Sequence, residues 1–82
     1  MVATDVIRSV LATYGGLPCP VDELAGDDDL YRRGLTSHAS VNVMLALEAE
    51  FDVEFDDTML RKSTFESIDA IRAALGALGI ED

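Results

Sequence analysis

From Val6 to Tyr14 the apolar residues Val6, Ile7, Val10, Leu11 and Tyr14 recur at the spacing of one face of an α-helix. Thr4 or Asp5 can cap its start, and Gly15-Gly16 ends it, since adjacent glycines lose too much backbone freedom to prolong a helix. The next such pattern opens at Ser37 and closes at Phe51. Its predicted inward stripe is Val41, Met44, Leu47 and Phe51, with Val43 and Leu45 to either side. So wide an apolar face predicts a central helix that keeps some apolar residues for a partner. A last pattern, Phe65, Ile68, Ile71, Leu75 and Leu78, begins at Ser63-Thr64-Phe65-Glu66, which reads as a capping box, and stops at Gly79.

Between the first two patterns, residues 15–36 hold six glycines and prolines and no sustained period. A structureless stretch of about 20 residues is unusual in a compact domain. Leu17, Val21, Leu24, Leu30 and Leu35 are spaced to pin it onto the helices, with a short helical turn near Val21 to Leu24. Phe51, Val53 and Phe55 alternate like a strand, yet nothing else in the chain offers a sheet. They predict an extended connector, followed by a short helix from Thr58 to Arg61 capped by Asp56-Asp57. The predicted fold is an all-α four-helix bundle: three principal helices, one short one and a long first loop, in a single domain spanning 1–82.

Composition narrows the function classes. Eighty-two residues enclose one hydrophobic core and leave little room for a catalytic pocket, which favours binding over catalysis. Sixteen acidic against six basic residues give a net charge of −10. Nucleic acid and anionic membrane should repel such a chain, while basic protein surfaces should attract it. The single cysteine, Cys19, permits no internal disulfide and is expected in an exposed loop. The start of the chain lacks a secretory pattern and no stretch is long enough to span a bilayer, so the expected address is the cytoplasm.

Candidate chemistry is sparse. His38 is the only histidine and follows Ser37 directly, but neighbours on a helix point in different directions, so the two form no nucleophile and base pair. Asp27-Asp28-Asp29 lacks the spacing of a calcium loop and predicts a solvated turn; no metal site is expected. With Thr36 as N-cap, Ser37 occupies the first position of the second helix, beside unpaired amide groups and the positive end of the helix dipole. A phosphate on that hydroxyl would meet favourable charge, although starting the helix is a sufficient role for a serine there.

A leading helix, a long loop ending "DDDLYRRGL", a serine opening an apolar helix and "LALEAEFDVEF" together resemble the acyl and peptidyl carrier proteins over nearly the whole chain. That family consists of four-helix domains bearing a 4'-phosphopantetheine arm on the serine of a G-[LX]-D-S-L type motif. The corresponding stretch is Gly34-Leu35-Thr36-Ser37-His38, so the resemblance makes Ser37 the attachment residue. Thr36 stands for the usual aspartate and His38 for the usual leucine. The helix that follows also lacks the acidic exposed face of fatty acid carriers, which implies recognition through apolar contact. The partner-facing residues implied are Thr36, His38, Val41, Leu45 and Glu48.

"GLTSHASVNVMLALE" with "MLRKSTF" is similar to a narrower group, the stand-alone carriers served by amino acid:carrier protein ligases resembling truncated seryl-tRNA synthetases. The expectation is a non-enzymatic carrier, monomeric by itself, holding glycine or alanine as a thioester. Its partners would be a phosphopantetheinyl transferase, such a ligase or another acyl-activating enzyme, and a downstream acyl-accepting enzyme. The alternatives are a carrier for fatty acid or polyketide-type synthesis and an acidic helical interaction module without a prosthetic group.

Overall fold

The computed structural model describes residues 3–81 and contains three α-helices and no strand among them: α1 (Ala3–Tyr14), α2 (Ser37–Phe51) and α3 (Ile68–Ala77). Helix α1 packs against both others. Its residues Val6, Ile7, Val10 and Leu11 are buried, as the spacing predicts, whereas Tyr14 at its last position is 49 % exposed. Thr4 and Asp5 lie within α1 instead of capping it. No helix among the described residues is long and apolar enough to cross a membrane.

Three side chains set the rotation of α2. Ser40, Val43 and Leu47 are its buried residues, one turn apart, so the inward face is offset from the predicted stripe. Of that stripe only Leu47 is buried; Met44 and Phe51 are half-buried, and Val41 is 50 % exposed. Ser40 can face inward because its Oγ donates to the Ser37 carbonyl at 2.7 Å, which leaves no unpaired hydroxyl in the core.

The long loop is ordered by its leucines. Leu24, Leu30 and Leu35 are buried, while Leu17 and Val21 pack against the same cluster. Val21–Glu23 forms the expected turn as a 3₁₀ helix. Arg8 of α1 reaches across to the loop, donating through one guanidinium nitrogen to the Val21 carbonyl at 2.6 Å and the Leu24 carbonyl at 3.0 Å. Further bonds join the loop to the start of α3, from Leu30 N–H to the Glu66 carbonyl (2.7 Å) and from Asp69 N–H to the Gly26 carbonyl (2.9 Å). Asp28 accepts from Ala25 N–H and pairs with Arg33, so the acidic triplet is only partly a solvated turn. Cys19 is half-buried against the core and not exposed.

Asp52 ends α2 in the left-handed region at φ +53°, Val53 N–H closes on the Glu48 carbonyl at 3.1 Å, and Phe55 is buried edge-on to Phe65, with ring centroids 5.5 Å apart. The expected short helix at Thr58–Arg61 is instead a 3₁₀ turn over Asp57–Met59, with no side-chain bond from Asp56. A second 3₁₀ turn covers Lys62–Phe65. The capping box does not form, because the cap of α3 is Ser67, whose Oγ accepts from Ala70 N–H at 3.0 Å. The α3 stripe itself holds: Ile68, Ile71 and Leu75 are buried. Its end is a Schellman turn, with Ile80 N–H on the Leu75 carbonyl, Gly79 N–H on the Gly76 carbonyl, and Gly79 at φ +95°.

Candidate functional site at the start of the second helix

The approach to α2 is built by Leu30–Leu35. Leu35 N–H bonds the Leu30 carbonyl (2.9 Å) and Gly34 N–H the Tyr31 carbonyl (3.2 Å), the same closure that ends α3. Both leucines are buried, which anchors the turn. Gly34 sits at φ +115°, and a Cβ there would lie 2.9 Å from Pro18 Cδ, so glycine is required. The chain thus enters α2 from a fixed direction.

Thr36 then caps α2 as expected. Its backbone is extended, and its hydroxyl accepts from Ala39 N–H at 3.0 Å. The Thr36 carbonyl takes Ser40 N–H at 2.9 Å, starting the helical ladder. The amide groups of Ser37 and His38 have no acceptor in that ladder and carry the positive end of the dipole. Ser37 is exposed, and its hydroxyl has no hydrogen-bond partner among the described residues. The other serine of this helix, Ser40, is buried and bonded. A phosphate ester fits the first hydroxyl and not the second, since only Ser37 offers an uncommitted oxygen beside unpaired N–H donors.

His38 is exposed. Val41 and Leu45, 50 % and 54 % exposed, lie on the outer side of α2 below Ser37. Glu48 departs from this group: it is half-buried, and its Oε2 accepts from Phe55 N–H at 2.9 Å. It therefore has a structural task, tying the connector to α2. Among the described residues no cluster of ligating side chains could hold a metal ion.

Ser37 also borders a cleft of about 330 Å³ that the sequence did not reveal, walled by Val41 and Met44 of α2, by Leu60 and Phe65, and by Arg61 and Lys62 where the second 3₁₀ turn begins. Tyr31 and Ser40 complete it. Tyr31 donates its hydroxyl to the Lys62 carbonyl at 3.0 Å, and Lys62 Nζ lies 4.8 Å from the centre of its ring. Burial raises the Tyr31 phenol above its ordinary value of 10.0; the nearby charges of Asp29 and Glu66 add to the rise, and the neighbouring Ser40 hydroxyl opposes it. Adjacent "RK" in an acidic chain, next to the half-exposed Leu60, was the available sign of this wall.

Comparison with known proteins bears on what such a site does. Residues 5–75 match the family model described as the phosphopantetheine attachment site. An aminoacyl carrier protein of Agrobacterium fabrum is 52 % identical over 65 residues, covering 79 % of this chain and 78 % of the relative. In the crystal structure of an engineered Bradyrhizobium japonicum glycine:[carrier protein] ligase complexed with carrier protein from Agrobacterium tumefaciens and ATP, one chain superposes at a TM-score of 0.88. It is 46 % identical, with 90 % of this chain and 96 % of that one covered. A chain in the structure of the Bradyrhizobium japonicum ligase complexed with glycylated carrier protein matches at a TM-score of 0.73 and 25 % identity, covering 87 % of this chain and 95 % of that one. With an all-α fold matching these structures and a family match over most of its length, the chain belongs to the phosphopantetheine-dependent carrier proteins, which bear a prosthetic arm and perform no catalysis themselves.

Proposed function

We propose that Ser37 carries the phosphopantetheine arm and that the loaded chain holds a small amino acid, glycine first and alanine second, for transfer to a partner enzyme. The observation that carries the assignment of Ser37 is the contrast within α2: one exposed hydroxyl without a partner at the capped end, and one buried hydroxyl already bonded. Attachment would proceed by attack of the Ser37 oxygen on the pantetheine-bearing phosphorus of coenzyme A, with 3',5'-adenosine bisphosphate leaving and the hydroxyl proton passing to the transferase. The resulting phosphodiester sits at the positive end of α2.

The aminoacyl cargo is supported by the likeness to an aminoacyl carrier protein and to chains crystallised with a glycine:[carrier protein] ligase. A partner that approaches Ser37 meets Thr36, His38, Val41 and Leu45, all exposed, and between Ser37 and Leu47 no acidic side chain at all. Docking therefore relies on apolar contact, which separates this carrier from those read through acidic helix faces. Tethering keeps the cargo at high effective concentration near a docked enzyme, so weak, brief docking suffices. The chain's own residues supply attachment, a rigid helix start and a docking face; activation of the amino acid belongs to the ligase. The test is to load mass-verified holo protein with radiolabelled glycine, alanine and a fatty acid, each with its activating enzyme and ATP. Hydroxylamine-labile label from glycine or alanine is expected; label from the fatty acid alone would assign the chain to fatty acyl transfer.

A further inference from the structure

The distribution of cations in this chain is unusual enough to carry a second site. Of six basic residues, Arg8 is spent on loop carbonyls, Arg33 on Asp28, and Arg72 on Asp69 at 3.7 Å, while Arg32 is exposed and lines a hollow with Asp29 and Glu66 that does not include Ser37. Arg61 forms no ion pair among the described residues although the chain has sixteen carboxylate side chains. It is exposed, and it borders the same cleft as Ser37. Lys62 is its neighbour on that border, with its ammonium held over the Tyr31 ring and not by a carboxylate. The remaining wall, Val41, Met44, Leu60 and Phe65, is apolar, and Val41 and Leu60 are about half exposed at 50 % and 49 %. Apolar walls closed at one edge by two cations fit a ligand that is anionic at one end and aliphatic just beyond it.

The group attached at Ser37 has that character. Its phosphodiester carries one negative charge, and the pantoyl unit that follows presents two geminal methyl groups. We propose that Arg61 and Lys62 bind the phosphodiester on Ser37 and that the Val41/Met44/Leu60 cleft receives the pantoyl methyls, laying the first part of the arm along the 3₁₀ turns while its thiol end stays in solution. This rests on Ser37 being the attachment residue. It gives the cleft to the arm and not to the cargo, in keeping with a cargo too small and polar to gain from an apolar wall. The cations act beside the dipole of α2, whose unpaired N–H groups face the same phosphate. Being exposed, the ionic part of the site weakens with salt.

The experiment uses holo protein whose single added phosphopantetheine has been verified by intact mass. In ¹³C-edited NMR spectra the expected result is cross-relaxation between the pantoyl methyls and methyl groups of Val41, Met44 and Leu60, together with amide shifts over residues 59–63 between apo and holo forms. Arg61→Gln with Lys62→Gln should shift the ³¹P resonance and abolish those contacts, as should about 1 M salt, where the screening length falls to about 3 Å. Leu60→Ala should remove the methyl contacts while leaving the ³¹P resonance in place. These side chains are exposed, so an unchanged dispersion of the remaining amide peaks verifies the fold. Holo protein whose shifts stop at residues 36–39, with no contacts to the cleft, would overturn the arm site and leave the Ser37 assignment standing. No mass gain with a competent transferase, or a gain in Ser37→Ala, would overturn both.

Discussion

Two valines two positions apart on α2 test the rotation of that helix. Val43 is fully buried, and Val41 is 50 % exposed. Replacing Val43 by alanine removes two carbons from the core, about 1.6 kcal/mol at about 0.8 kcal/mol each. The cavity left behind adds about 1 kcal/mol, because a packed core relaxes only in part. Alanine's better helix propensity returns about 0.5 kcal/mol. The net loss for Val43→Ala is about 2 kcal/mol. For Val41→Ala the half-lost transfer, about 0.8 kcal/mol, is offset by the same propensity gain, leaving a loss of about 0.3 kcal/mol. Both sites lie in the interior of one helix, so the difference between them reports burial alone. In thermal melts of the two variants it should appear as a gap of about 10 °C, since about 1 kcal/mol moves the midpoint of a domain this size by about 4–8 °C. Urea titrations should show the same order with unchanged slopes. Equal losses, or a larger loss for Val41→Ala, would place the inward face on the stripe read from the sequence and refute the packing described.

Other substitutions probe the approach to the site. Thr36→Ala should cost about 1 kcal/mol in chemical denaturation, the loss of a cap whose hydroxyl accepts from Ala39 N–H; no loss would remove Thr36 from that role. Gly34→Ala should cost at least about 1–2 kcal/mol because of its positive φ, and the crowding by Pro18 adds to this, so an unchanged melting point would contradict the turn. Tyr31, its phenol raised by burial, contributes stability that is fully present below pH 10 and is lost as pH rises through the higher folded value. Denaturation midpoints should therefore fall on the alkaline side in wild type and fall less in Tyr31→Phe; identical alkaline profiles would dismiss the phenol.

Much of this structure is legible in the chain, and the misreadings have identifiable causes. The α1 stripe stands out because polar residues fill most of the opposite face, and the α3 stripe because only small or charged residues, alanines, Gly76, Asp69 and Arg72, surround its large apolar side chains. Helix α2 has Val41, Val43, Met44, Leu45, Ala46 and Leu47 on nearly every side, so periodicity cannot choose its inward face. The choice turned on Ser40, a polar residue made compatible with burial by a local bond to the Ser37 carbonyl. The capping box at Ser63 matched its pattern yet lost to Ser67, because the Glu66 carbonyl is taken by Leu30 N–H and Asp69 N–H by the Gly26 carbonyl. Those partners lie about 40 residues away, beyond the reach of any local rule. One local signal was readable: "LYRRGL" and "LGALGI" share L-x-x-x-G followed by an aliphatic residue, and both fold into the same glycine-closed turn. The first of them aims Ser37, and Thr36 was identifiable as its cap. Arg61 and Lys62 become part of the site only through the path of the chain after α2.

Carrier function in this chain depends on one hydroxyl, that of Ser37, and intact mass spectrometry tests it. Apo wild type, Ser37→Ala and Ser40→Ala should each be incubated with coenzyme A and a promiscuous phosphopantetheinyl transferase, and with a transferase of the native host if the first is inert. Wild type and Ser40→Ala should each gain one phosphopantetheine, and Ser37→Ala none. A gain by Ser37→Ala, or none by wild type with either transferase, would contradict the assignment of Ser37.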